Sequence, residues 1–97
     1  MRGVDLAIYA DALAGEAASL SARAERTRSR LRQAAIEKRA RADLTRVATE
    51  RLEALGLLGA IDETAARAEL RELEAALDAL EELQSWVEGE LEAATAA

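Results

Sequence analysis

The sequence predicts an all-α protein: a long, antiparallel, coiled-coil-like helical hairpin that pairs into a helical bundle. Three observations predict it. Proline is absent from all 97 residues and only five glycines occur. Apolar residues recur at alternating spacings of three and four, the signature of a heptad seam. One cluster of turn-forming residues separates the two stretches that carry this pattern. Apolar types make up 51% of the chain, yet only Tyr9 and Trp86 are aromatic. A core of alanine and leucine suits close helix contact better than a sheet, where β-branched and aromatic residues dominate. A chain this short makes one domain at most, a single hairpin over residues 1–97 with a thin core.

Helix 1 is expected over about residues 4–55, because neither glycine nor proline lies between Gly15 and Gly56. Leu6, Leu13 and Leu20 recur every seven residues, with Ala10, Ala17 and Ala24 four after each. Large and small layers thus alternate, which lets a partner helix approach closely. The frame continues through Thr27, Leu31 and Ala34, turns polar at Lys38, Arg41 and Thr45, and recovers at Ala48, Leu52 and Leu55. A break or kink belongs in the polar stretch. A rival layout places it there, between Arg41 and Thr45, with residues 46–58 as a short separate helix.

The turn is expected at about residues 56–61, where Gly56 and Gly59 can take the left-handed conformation that ends a helix. Asp62 has the chemistry of an N-cap, and Ile61 and Ala66 occupy the positions of a hydrophobic staple. Helix 2 then covers about residues 62–94, on a seam of Ala66, Leu70, Leu73, Leu77, Leu80, Gln84, Val87 and Leu91. Gly89 is expected to fray its end.

Charge is segregated along the chain. Residues 23–46 hold nine basic against three acidic residues, a net of +6, while residues 47–97 hold three against thirteen, a net of −10. In the continuous layout the basic stretch faces residues 74–97; in the rival layout it faces residues 64–79. Exposed pairs contribute only ~0.2–1 kcal/mol each, so they bear on register rather than stability.

The composition excludes much chemistry. With no cysteine and no histidine, there is no thiolate or imidazole for a metal, and no histidine base to activate a serine. No cofactor, metal or catalytic residue is expected, and the chain is read as a non-enzyme. Asp5, Asp11 and Glu16 interrupt anything resembling the apolar core of a signal peptide, and no run approaches the ~20 apolar residues of a membrane span. A cytoplasmic location is the expectation.

What remains is contact between helices. Trp86 lies off the helix 2 seam, on a flank shared with Ala76, Ala79, Leu83 and Ala93, so the helix is apolar over roughly 160°, wider than a two-helix contact requires. Tyr9, beside Ile8, poses the same question at the other end of the sequence. In the continuous layout helix 2 also stops short of the N-terminal third, leaving Leu6, Leu13 and Leu20 without an intrachain partner. The expected function is therefore a non-catalytic protein–protein interaction or assembly module, a homodimeric adaptor or regulator whose partner is a second copy or another helical protein, contacting through Leu6, Leu13, Leu20, Leu83 and Trp86. The alternative is nucleic-acid binding by the basic stretch, led by Arg23, Arg26, Arg30 and Arg39. Against it stand an acidic chain, pI ≈ 4.7, and the absence of aromatics among the arginines to stack on bases.

Overall fold

The computed structural model describes residues 3–96 and contains three helices: α1 (Gly3–Asp43), α2 (Arg46–Ala54) and α3 (Glu63–Ala96). The fold is an all-α helical hairpin in which α1 packs against α3. Its packing falls into two compact units. One holds α1 up to Ala24 with α3 from Arg71; the other holds residues 25–70.

Helix 1 does not run to residue 55; the chain breaks at Thr45, as in the rival layout. Thr45 adopts φ −66°, ψ 159°, an extended conformation that cannot continue a helix, and caps α2. Its hydroxyl accepts from the Ala48 N–H at 3.2 Å. A short polar side chain that bonds the backbone ahead of it competes with helix continuation, which is how threonine starts a new helix here. Gly56 ends α2 at φ +73°. The Gly56 N–H bonds the Glu53 carbonyl at 3.0 Å and the Leu57 N–H bonds the Leu52 carbonyl at 2.9 Å, the paired bonds of a Schellman motif. Of the two glycines expected to turn left-handed, Gly56 alone does so.

Asp62 caps α3 as expected, its Oδ1 accepting from the Ala65 N–H at 2.9 Å. Every position of the α3 seam is covered. Ala66, Leu73 and Val87 are buried, and Leu70, Leu77, Leu80, Gln84 and Leu91 are half-buried. Gly89 does not fray the helix, which continues through to Ala96.

On α1 the expected frame holds from Leu6 to Ala34, with Leu6, Ala24 and Thr27 buried. It then slips by one residue: Glu37 is buried and Ala40 half-buried, while Lys38 and Arg41 are exposed. The slip keeps two long cations in water.

Two further expectations are corrected. The N-terminal seam is not an overhang, because residues up to Ala24 share a compact unit with residues from Arg71. The break at Thr45 is the reason. It shortens α1 to 41 residues, about 62 Å, against 34 residues and about 51 Å for α3. The argument that a second copy must cover Leu6, Leu13 and Leu20 therefore does not hold. From Glu25 onward the basic stretch also packs with other residues than the continuous layout expects: residues 25–70 form one unit, in which Arg30 reaches Glu69 at 3.6 Å, within the 64–79 range of the rival layout. Among the described residues, no helix is long and apolar enough to cross a membrane.

Candidate functional site

In the unit formed by residues 1–24 and 71–97, Leu6, Tyr9 and Leu13 of α1 and Leu83, Trp86 and Val87 of α3 line an open groove of about 200 Å³. On α1 the three side chains follow spacings of three and four, so they stack along one face. On α3, Val87 belongs to the seam while Leu83 and Trp86 stand on its flank. The floor is closed by Leu6 and Val87, 5% and 3% exposed. The walls are open: Tyr9 is 56% exposed, Leu83 46% and Trp86 57%, with Ile8 exposed beside them. The two aromatic residues of the chain thus line one groove, although nearly eighty positions separate them.

Of the five residues expected to make contacts, four line this groove; Leu20 does not, and sits half-buried on the seam. Tyr9 and Trp86, treated from sequence as features of separate ends, belong together. Val87 counted only as seam, and no signal in the sequence marks it as part of an open surface.

Charge around the groove is one-sided. Its unit carries three basic and eleven acidic residues, a net of −8, whereas residues 25–70 carry ten and eight, a net of +2. Along α3, Glu82 and Glu90 stand one turn either side of Trp86; along α1, Asp5 stands one turn before Tyr9 and Glu16 follows Leu13 by three. All four are exposed.

The basic residues of the alternative reading are largely engaged or scattered. Arg30 pairs with Glu69, Arg32 and Arg28 with Glu25 at 3.0 and 3.7 Å, and Arg46 with Glu50 at 3.1 Å. Hydrogen bonding from Arg32 holds the Glu25 carboxyl below the usual range. Arg23, Arg26 and Arg39 are exposed. Arg30 and Arg39, nine residues apart on one helix, point to opposite sides at 100° per residue. They form no single stripe for a phosphate backbone.

In residues 25–70 a second arrangement holds the turn. Glu37 Oε1 accepts the Gly59 N–H at 3.0 Å, and Arg41 Nη2 donates to the Gly59 carbonyl at 2.6 Å. One turn of α1 thus grips both ends of one residue. Gln33 donates to Glu37 at 3.4 Å, and Arg41 Nε lies 3.5 Å from Glu53 of α2. The Gly59 N–H, opposed by burial and assisted by Gln33 and Arg41, holds the Glu37 carboxyl below its ordinary value. A carboxyl depressed on folding contributes stability at neutral pH, and that contribution is lost as pH falls through the depressed value. The Gly59 amide resonance should therefore titrate with a midpoint below that of an unperturbed glutamate, and Glu37→Gln should abolish the titration. A midpoint at or above the ordinary value shows that the grip does not exist in solution. Sequence reasoning missed Glu37, since nothing local shows that a glycine 22 positions away needs an acceptor.

Comparison with protein-family models, with curated proteins and with solved structures finds no match for this chain.

Proposed function

We propose that this chain is a non-catalytic protein–protein interaction module that works through helix–helix contact, with the groove of Leu6, Tyr9, Leu13, Leu83, Trp86 and Val87 as its contact surface. One observation supports this most directly: both aromatic residues of the chain stand more than half exposed over a wholly apolar groove. Burying apolar surface is favourable at roughly 25 cal/mol per Å², and tryptophan and tyrosine are the side chains that most often anchor protein interfaces. Neither is needed to fill the seam beneath. The partner presents a helix, and a second copy of the chain is one candidate for it.

Because Trp86 is more than half exposed, Trp86→Ser should cost only about 1 kcal/mol, well short of unfolding the chain. The same change should remove the interaction. A photo-crosslinking phenylalanine analogue at Tyr9, introduced in native cells, should give discrete adducts that vanish in the Trp86→Ser background. An adduct at twice the chain's mass identifies a second copy. No adduct beyond that from the same analogue at Lys38, or adducts indifferent to Trp86, overturns the reading.

A further inference from the structure

We propose that the partner in this groove is a cationic amphipathic helix of another protein. The inference rests on the reading above and deepens it by assigning the partner's chemistry.

The first argument is shape. Leu6, Tyr9 and Leu13 span eight residues of α1, about 10 Å, and the groove is lined on its other side by Leu83, Trp86 and Val87. A trough two turns long, apolar and open to solvent, matches the ridge that a helix presents through apolar residues at i, i+3, i+4 and i+7. An extended strand would leave its backbone hydrogen-bonding groups against leucine and tryptophan, without partners.

The second argument is charge. The groove is apolar, but among the described residues the charged ones that stand one turn from its lining, Asp5, Glu16, Glu82 and Glu90, are all acidic and exposed. Among the described residues of this unit the basic ones are Arg23 and Arg71. Arg23 lies ten residues beyond Leu13 and Arg71 twelve before Leu83, about 15 and 18 Å along their helices, farther than the ~10 Å over which charge acts at moderate salt. A ligand seated on the apolar floor therefore meets carboxylates at its edges. Lysine or arginine beside the apolar stripe satisfies them.

The same charge argues against other occupants. Two copies joined groove to groove would bring two units of net −8 together, and like charges across an interface disfavour it strongly. Nucleic acid and anionic lipid are repelled for the same reason. Rim charges of this kind act mainly on encounter, so the salt dependence should appear in the association rate while apolar contact governs dissociation.

The test uses the full-length chain, whose single tryptophan makes emission a report on the groove alone. Three synthetic peptides of about 18 residues serve as probes: an amphipathic leucine–lysine helix, a scrambled peptide of the same composition, and an amphipathic helix with glutamine in place of lysine. The first should bind at least about tenfold more tightly than either control, a difference of about 1.4 kcal/mol, and shift Trp86 emission to the blue. Its association rate should fall about tenfold or more between low and high salt, with dissociation nearly unchanged. The double variant Glu82→Gln, Glu90→Gln should weaken the preference for lysine over glutamine yet still bind the glutamine helix.

Three results overturn the inference. Equal binding of the lysine and glutamine helices shows that charge does not select the partner. Light scattering that finds the free chain dimeric, with Trp86 already covered, makes a second copy the occupant. Failure of every peptide to move Trp86 emission removes the helix-in-groove geometry. In each case the Tyr9 crosslinks, which do not depend on the partner's charge, report separately on the interaction role.

Discussion

Leu73→Asp should unfold this protein. Leu73 is 5% exposed on the α3 seam, and two losses coincide there. Removing the leucine forfeits ~1.5–3 kcal/mol of apolar burial. The replacement places a polar group without a partner in a covered position, which costs roughly a further 2–7 kcal/mol. Against this stands a total of about 5–15 kcal/mol for a typical domain, and this chain belongs at the low end. Its core is thin: among the described residues, six apolar side chains are buried, and no large one is fully enclosed. Leu83→Asp is the control. It lies on the same helix with the same change in helix propensity, but its site is 46% exposed, so the carboxylate stays in water. Circular dichroism should show little helicity in the first variant and, in the second, a folded helical protein whose melting temperature falls by only about 5–10 °C. Equal melting temperatures would mean that the seam is not the core.

Ala24→Leu should also destabilise, although it adds apolar surface. Ala24 is fully covered at 0% exposure, so the extra carbons enter occupied space. Overpacking of this kind typically costs 1–3 kcal/mol, as neighbours leave their preferred rotamers. Helix propensity cannot account for such a loss, because alanine and leucine differ little. Each kcal/mol lowers the melting temperature of a small domain by about 4–8 °C. Ala22→Leu, two residues earlier and exposed, should fall within about 0.5 kcal/mol of the parent. A raised melting temperature for Ala24→Leu would show that the alanine layer is not where the helices approach closely.

The two variants test the same feature from opposite sides. Leucine supplies the burial, while alanine sets how near the helices come. A seam of alternating large and small residues carries both requirements, and the spacing of residues 6–24 on α1 shows it.

Much of the architecture was legible because it depends on neighbours. The Asp62 cap involves a bond three residues long, the Gly56 ending a turn only slightly longer, and the α3 seam a spacing of three and four. The break at Thr45 was half legible. The polar stretch marked the place, but nothing between Gly15 and Gly56 forbids a helix, so helix propensity alone favours continuity. What decides the matter is a competition between the Thr45 hydroxyl and helix continuation, in a segment whose turn is held by Glu37 and Arg41 at Gly59. Those bonds link positions 22 and 18 residues apart. No periodicity encodes them.

The groove shows the same division. Trp86 and Leu83 fell off the α3 seam by spacing alone, and Tyr9 was exposed by the same logic, so each could be singled out as a surface in search of cover. That they line one groove depends on register, and register depends on how many residues the chain spends reversing. By itself the sequence determined that the chain is helical, which stripe residues 6–34 and α3 bury, and where the turn lies, because those follow from interactions within about four residues; the break at Thr45 and the slipped stripe after Ala34 did not follow from them. Only the tertiary structure decided that the N-terminal leucines have a partner in their own chain and that Tyr9 and Trp86 stand together. Both follow from long-range packing, in which sliding one helix against the other changes which side chains meet without altering either helix.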